Sequence, residues 1–139
     1  MSEPVAIGAC TPFLIVSDLP GSVRHYRDLL GFKLRYGATE GDPFFAILGR
    51  GAAQIMLKCI GAEVLPQPNP SRHAWAPWDI FIYCDDPDAL AREIGARPGA
   101  PTLTLTDRED GLRGFELADP DGYVLFFGRP NPDGSDAKA

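Results

Sequence analysis

Side chains that can transfer protons or hold a metal are few in this 139-residue sequence, and they lie far apart. There are two histidines. His25 falls in a segment with helical periodicity, on the side predicted to face solvent, and we interpret it as an exposed structural residue. His73 falls in a proline-rich loop beside Trp75, and this loop could close over a cleft.

Acid–base chemistry without a metal has one candidate set of residues. Tyr83, Asp79 and Glu116 could act together if burial shifted their pKa values. Strand alternation does not fix the face on which Glu116 lies, because its neighbours Phe115 and Leu117 are both apolar. No nucleophile, base and orienting group share a distinctive spacing, so the sequence assigns no catalytic residue.

The composition limits the compartment and the partners. The three cysteines are widely spaced and form no CxxC pair, which argues against zinc or redox work. A net charge of −6 opposes binding to nucleic acid and to anionic membranes, which need basic patches. No apolar run approaches the roughly 20 residues of a membrane span, and the N-terminus lacks a signal-peptide pattern. We therefore expect a cytoplasmic protein that binds a small, neutral or cationic molecule.

Hydrophobic periodicity predicts one α+β domain over residues 1–139, built from two βαβββ modules. In the first, residues 8–60, an apolar run precedes a helix with Ser22 as a candidate cap, and three strand-like segments follow. The order recurs in residues 78–130, where TLTLTD is one of the strand candidates. Asp18, Asp85 and Asp86 are further candidate caps. Residues 61–77 are predicted to be a linker, and residues 131–139 a polar tail.

Strand alternation divides the strand residues between two faces. The predicted cleft face carries Thr11, Phe13, Ile15, Gln54, Met56, Lys58, Asp79, Phe81, Tyr83, Val124 and Phe126. The opposite face, which should pack on the helices, carries Leu14, Val16, Ile55, Leu57, Ile80, Ile82, Leu125 and Phe127. Phe44 and Phe45 are ambiguous, because only one of them can share the cleft parity. A mostly apolar cleft with a few polar groups suits a flat aromatic or amphipathic molecule.

Three residues near the linker have both a binding and a structural interpretation. Trp75 and Trp78 could provide stacking surfaces that also attract cations. They could equally anchor the linker or lie in a dimer interface. Asp79 could orient a donor on the ligand, or it could pair with Lys58 or an arginine.

The sequence resembles the vicinal oxygen chelate superfamily, which includes glyoxalases, bleomycin resistance proteins and extradiol dioxygenases. The resemblance is carried by FLIVSDL followed by SVRHYRDLLGF, and by the closing DPDGYVLFFG. It implies paired βαβββ modules whose curved mixed sheets enclose a cleft, with the helices on the outer face. Whether the modules pair within one chain or between two chains stays open.

The resemblance also implies four strand positions at which metal-dependent members carry His, Glu or Gln. Here these positions are Thr11, Met56, Asp79 and Phe126. Asp79 alone is a credible ligand, whereas catalytic zinc and non-heme iron usually have three protein ligands. We therefore predict no metal and no other cofactor, as in the metal-free bleomycin-resistance branch.

The first functional hypothesis is a metal-free protein that sequesters an aromatic or cationic ligand in an apolar cleft. By resemblance it would be a homodimer whose clefts are completed by the partner chain. The alternative is a metal-dependent glyoxalase or other lyase, isomerase or dioxygenase of the same superfamily, holding a divalent metal. A structural or interaction module without a ligand is a third, weaker hypothesis.

Overall fold

A computed structural model describes residues 3–37 and 44–132 of the chain. These residues form two four-stranded mixed sheets and two short helices, which confirms the predicted α+β fold. The strands are β1 (Phe13–Ile15), β2 (Lys33–Gly37), β3 (Phe45–Arg50), β4 (Ala53–Lys58), β5 (Ile80–Tyr83), β6 (Thr106–Asp107), β7 (Leu112–Ala118) and β8 (Val124–Pro130). The helices are α1 (Leu19–Arg24) and α2 (Pro87–Gly95). Most of the predicted polar tail, from residue 133 onward, lies outside the described residues.

The two sheets repeat the same topology. Their strand orders are β1-β4-β3-β2 and β5-β8-β7-β6, and in each the first strand runs parallel to the last. Phe13 pairs with Met56 in the first sheet, and Phe81 pairs with Phe126 at the corresponding place in the second. The predicted internal repeat is therefore present at the level of strand register.

Aspartates begin both helices. The Asp18 side chain accepts a hydrogen bond from the Gly21 N–H, and the Asp86 side chain accepts one from the Ala89 N–H. The prediction that Ser22 caps the first helix was wrong, because the helix starts earlier and Ser22 is buried inside it. Asp85 caps no helix; it accepts a hydrogen bond from the Tyr83 hydroxyl at 2.6 Å.

The first helix continues as a π-helical turn over His25–Leu29. A π turn contains one residue more than an α turn, so its side chains are rotated from the positions that α-helical periodicity predicts. His25 is accordingly half-buried, and burial lowers the pKa of its imidazole. The predicted solvent-facing histidine was therefore wrong. Gly31 ends the turn with φ of 77°, as its sequence position indicated.

The strand predicted at TLTLTD is short in the structure. Only Thr106–Asp107 pairs with β7, opposite Gly114 and Arg113. Residues 102–105 have no strand partner but keep an alternating pattern, with exposed threonines and with leucines packed against the core. The periodicity was thus correct, although the backbone pairing it implied was not.

One hydrophobic core joins both modules. All eight residues predicted to face the helices belong to this core, six of them buried and Leu14 and Ile82 partly buried. Burial of apolar side chains contributes on the order of 1.5–3 kcal/mol each, so this shared face is the main source of stability. The predicted division of the strands into two faces is confirmed for its core side.

A buried polar contact crosses the core between the modules. The Tyr26 hydroxyl donates a hydrogen bond to Asp119 Oδ2 at 2.8 Å, and the N–H groups of Asp121 and Tyr123 donate to Asp119 Oδ1. Asp119 is only 6% exposed, and burial raises its pKa to about 6, opposed by these hydrogen bonds. The Tyr123 hydroxyl in turn donates to the carbonyl of Ile15 at 2.6 Å. The turn before β8 is therefore fixed to the first module.

A second contact between the modules is ionic. Arg50 Nη1 and Nη2 lie 2.8 and 2.9 Å from the two carboxylate oxygens of Glu93 on α2, and Arg97 Nη2 lies 2.7 Å from Glu93 Oε2. The two arginines also donate to the carbonyls of Leu30 and Leu29, which end the π-helical turn. The arginines thus satisfy carbonyls at that end of the first helix and link it to α2.

We expect Tyr26→Phe to lower the free energy of unfolding by about 1–3 kcal/mol, because it leaves a buried carboxylate with one hydrogen bond fewer. Urea denaturation monitored by circular dichroism measures this change. Tyr36→Phe is the matched control, because Tyr36 is 64% exposed. Removal of its hydroxyl should change the free energy of unfolding by no more than about 0.5 kcal/mol. Equal effects of the two substitutions would contradict the assigned role of the Tyr26 hydroxyl.

Candidate functional site

The predicted cleft residues lie on the side of each sheet away from the core. Most of them are half-buried or exposed: Phe13, Phe81 and Tyr83 are exposed, and Thr11, Ile15, Gln54, Met56, Lys58, Asp79 and Val124 are half-buried. Phe126 is the exception, with 1% of its surface exposed. The structure therefore leaves every predicted cleft residue at least partly accessible except Phe126, which is covered.

Aromatic side chains cluster on the first sheet. The ring of Phe45 contacts Phe13 edge-on, with centroids 6.4 Å apart, and contacts Tyr36 in the same way at 5.9 Å. Met56 lies in β4 directly opposite Phe13. Of Phe44 and Phe45, it is therefore Phe45 that lies on the cleft face. The alternation of Phe45 with the core residues Ala46 and Leu48 could have indicated this.

A series of side-chain hydrogen bonds links Arg35, Gln54 and Thr11 at the hairpin end of the first sheet. Gln54 Nε2 donates to the Thr11 hydroxyl at 3.2 Å, and Arg35 Nη1 donates to Gln54 Oε1 at 3.1 Å. Arg35 also donates to the carbonyl of Gly51 at 2.9 Å. Sequence reasoning missed Arg35, because its position on β2 gives no hint of a partner on β4. These hydrogen bonds fix the orientation of the Gln54 amide.

Three aromatic rings stack on the second sheet, and we call Trp78, Phe81 and Phe126 the aromatic stack. Trp78 lies over Phe126 with centroids 4.6 Å apart and planes tilted by 27°, and Phe81 lies 5.7 Å from Phe126 at 22°. The guanidinium of Arg108 lies 4.6 Å from the centre of the Trp78 ring. Phe126 is therefore the floor of the stack, covered by Trp78 and Arg108.

Two glycines make room for the floor of the stack. A Cβ atom at Gly128 would collide with Phe126 Cε2, and one at Gly114 would collide with the carbonyl oxygen of Phe127 and lie 2.8 Å from Phe126 Cζ. These contacts are all closer than any normal carbon contact, so only glycine fits at these two positions.

Asp79 holds the backbone around the stack. Its Oδ1 accepts from the Asn69 N–H of the linker at 2.7 Å, and its Oδ2 accepts from the Val124 N–H of β8 at 2.8 Å. The pairing with Lys58 or an arginine that the sequence left open is therefore replaced by two backbone partners. Because Trp78 precedes Asp79, these bonds also fix the tryptophan in place.

The other polar candidates lie in different surroundings. Tyr83 donates to Asp85, and this hydrogen bond raises the pKa of the Tyr83 phenol. Glu116 lines a separate groove on the second sheet. With Asp79 bound to backbone amides, the three residues considered for acid–base chemistry share no hydrogen bond.

The two tryptophans have different environments. Trp75 is 90% exposed, and its only aromatic contact within the described residues is an edge-on approach to His73 at 5.6 Å. The Trp75 N–H donates to His73 Nδ1 at 3.1 Å, so the histidine stabilises a turn of the linker. Trp78 belongs to the aromatic stack, whereas Trp75 faces outward.

A cavity of about 490 Å³ lies where the two modules meet. Its walls are the segment before β1, the start of β4 and the strand β5, and they include Pro12, Gln54, Phe81 and Tyr83. Phe81 is 41% exposed and connects this cavity with the aromatic stack. The volume is in the range of small-molecule sites, and most of the wall is apolar.

One known protein family matches most of this chain. The family described as Glyoxalase/Bleomycin resistance protein/Dioxygenase superfamily matches residues 6–127. The chain belongs to this superfamily. No curated protein sequence matches it.

Solved structures with a similar fold can be superposed on most of this chain. A bleomycin-binding protein from bleomycin-producing Streptomyces verticillus, complexed with copper(II)-bleomycin, is 25% identical, with a TM-score of 0.61 over 89% of this chain and 97% of that chain. TioX from Micromonospora sp. ML1 is 19% identical, with a TM-score of 0.65 over 88% and 98%. TnmS3, an antibiotic binding protein from Streptomyces sp. CB03234, is 16% identical, with a TM-score of 0.65 over 93% and 100%.

The four positions where metal-dependent members carry ligands do not fit a catalytic metal in this chain. Phe126 and Met56 offer no hard donor, and the Thr11 hydroxyl accepts from Gln54. Both oxygens of Asp79 are held by backbone amides. Across the described segments, no three His, Cys, Asp or Glu side chains form a group that could hold a metal ion. None of the helices in these segments has the length and apolar character of a membrane span.

We expect Gly128→Ala to lower the free energy of unfolding by about 1–3 kcal/mol and to reduce the near-ultraviolet circular dichroism of the aromatic stack, because the added methyl group displaces Phe126. Gly95→Ala is the control, since nothing lies within 4 Å of a Cβ atom built there. This control should leave stability unchanged or raise it. An unchanged spectrum and stability in Gly128→Ala would contradict the packing of Phe126.

Proposed function

We propose that this chain is a metal-free binding protein that sequesters a flat aromatic or cationic small molecule. The observation that carries the proposal is the aromatic stack, whose member Phe126 stands at one of the four positions where the resemblance implies a metal ligand. Aromatic rings cannot polarise a carbonyl or activate oxygen, but they bind other rings by offset stacking. Phe81, which is 41% exposed, is the ring of the stack that can receive a ligand ring.

The walls around the stack support an aromatic ligand. Phe81 presents part of one ring to the cavity of about 490 Å³, and Tyr83 lies two residues further along the same strand. The net charge of −6 favours the approach of a cation over that of an anion. A planar cation would gain both from stacking and from the charge of the protein.

The proposal includes a homodimer in which the partner chain completes the cleft. Several aromatic side chains on the cleft side of the sheets stay exposed in a single chain: Phe13, Tyr36, Phe81 and Tyr83. Exposed aromatic surface of this extent is typical of a binding site or a protein interface. A second chain facing these sheets would cover a bound ligand from both sides. A cytoplasmic location is part of the same proposal.

The named relatives support the class of ligand. One binds copper(II)-bleomycin and another is an antibiotic binding protein. Because the first relative is 25% identical over nearly the whole chain, we extend small-molecule binding to this protein. The identity of the ligand is left to experiment.

A thermal-shift screen of aromatic and cationic drugs, bleomycin included, tests the proposal. A compound present at about 100 times its Kd should stabilise the fold by about 2.7 kcal/mol, which corresponds to a rise in Tm of roughly 5–15 °C. Calorimetric titration of each active compound then gives Kd for Phe81→Ala, which should be at least about tenfold weaker because a stacking wall is lost.

Leu65→Ala is the matched control for this experiment. Leu65 is an exposed apolar residue of the linker, and its removal should leave Kd unchanged. The proposal fails if no compound of the screen raises Tm. It fails equally if Phe81→Ala and Leu65→Ala bind with the affinity of the wild-type protein.

A further inference from the structure

A polar groove of about 360 Å³ lies on the second sheet beside the aromatic stack. We define the polar groove by its lining residues, which are Thr102, Thr104, Thr106, Arg108 and Glu116. Two contacts place it next to the stack. Glu116 pairs with Phe126 across β7 and β8, and the Arg108 guanidinium lies over Trp78. A molecule that touches the stack can therefore reach the groove.

Local sequence explains why the groove is polar. In residues 102–106 the leucines pack against the core, so the alternating threonines face outward. The Thr106 hydroxyl donates to the carbonyl of Gly114 at 3.4 Å. The hydroxyls of Thr102 and Thr104 take part in no hydrogen bond among residues 3–37 and 44–132. They are available to donate to, or accept from, a ligand.

The charge of the groove is negative, although an arginine lines it. Arg108 Nε lies 3.0 Å from Asp110 Oδ2, so the guanidinium already has a carboxylate partner. Its flat face is occupied by the ring of Trp78. Glu116 is exposed and takes part in none of the ion pairs formed by the described segments. The free charge that the groove offers is therefore the carboxylate of Glu116.

We propose that the polar groove binds a protonated amine carried by the ligand whose aromatic ring contacts the stack. An ammonium group has three donors, which match one carboxylate and neighbouring threonine hydroxyls. Arg108 acts as the wall between the two parts of the site, since it lines the groove and covers Trp78. The ligand class is thus an aromatic compound with a basic amine. This inference rests on the proposed function and adds the chemistry of the ligand's polar end.

A pair of fluorescent probes tests the inference. Dansylcadaverine carries an aromatic ring and a terminal ammonium on a flexible arm, and its N-acetyl derivative is the same molecule without the charge. We expect the wild-type protein to bind dansylcadaverine about tenfold more tightly than the acetylated probe, since one charge-assisted hydrogen bond is gained. The preference should decrease as sodium chloride is raised.

Glu116→Gln should remove this preference, because it should raise the Kd of dansylcadaverine about tenfold and leave the Kd of the acetylated probe unchanged. Glu109→Gln is the matched control, because it removes the same charge from an exposed residue outside the groove lining. This control should keep the wild-type preference, which excludes an effect of net charge alone.

The outcomes separate this inference from the proposed function. If both probes bind with equal affinity to the wild-type protein and to Glu116→Gln, the groove proposal is overturned and the aromatic site stands. If the preference is lost to the same extent in Glu109→Gln, long-range charge explains it, and the groove proposal is again overturned. If neither probe binds while other aromatic compounds do, the amine assignment fails alone. If no aromatic compound binds, the proposed function fails as well.

Discussion

The packing of one large ring, Phe126, is the constraint on which the site depends. A buried aromatic side chain on the cleft side of β8 requires space below it and a cover above it. Gly114 and Gly128 give the space, and Trp78 and Phe81 give the cover. With this arrangement the last strand carries a buried ring at a position where the resemblance implies a metal ligand. At this strand position the side chain is thus a buried ring with no donor atom for a metal.

The polar contacts of two aspartates hold this stack in place. Asp79 ties the linker to β8 through two backbone hydrogen bonds, and so fixes Trp78 above Phe126. Asp119 receives the Tyr26 hydroxyl from the other module and organises the turn that leads into β8. Both aspartates bind groups that would otherwise be unpaired in a half-buried or buried place. The stack is therefore held by the linker and by the first module as well as by its own sheet.

The fold and the faces of the strands were predictable because periodicity and turn residues are local signals. The repeated modules, the Asp18 and Asp86 caps, and the core parity all agreed with the sequence pattern. Failures occurred where an irregular turn or a distant partner decided the result. The π-helical turn moved His25 inward, Asp79 found backbone partners in place of Lys58, and Arg108 reached Trp78 across 30 positions of the sequence. The short β6 has the same origin, since strand length depends on the neighbour as well as on alternation.

The metal content of native, untagged protein tests the central claim most directly. We would measure it by inductively coupled plasma mass spectrometry on protein as purified, and again after dialysis against zinc, nickel, manganese and ferrous iron. The account predicts that no ion is retained in a stoichiometric amount, because Thr11, Met56, Asp79 and Phe126 do not form a ligand set. One tightly held ion per chain would contradict this account and would direct attention to the metal-dependent chemistries of the superfamily.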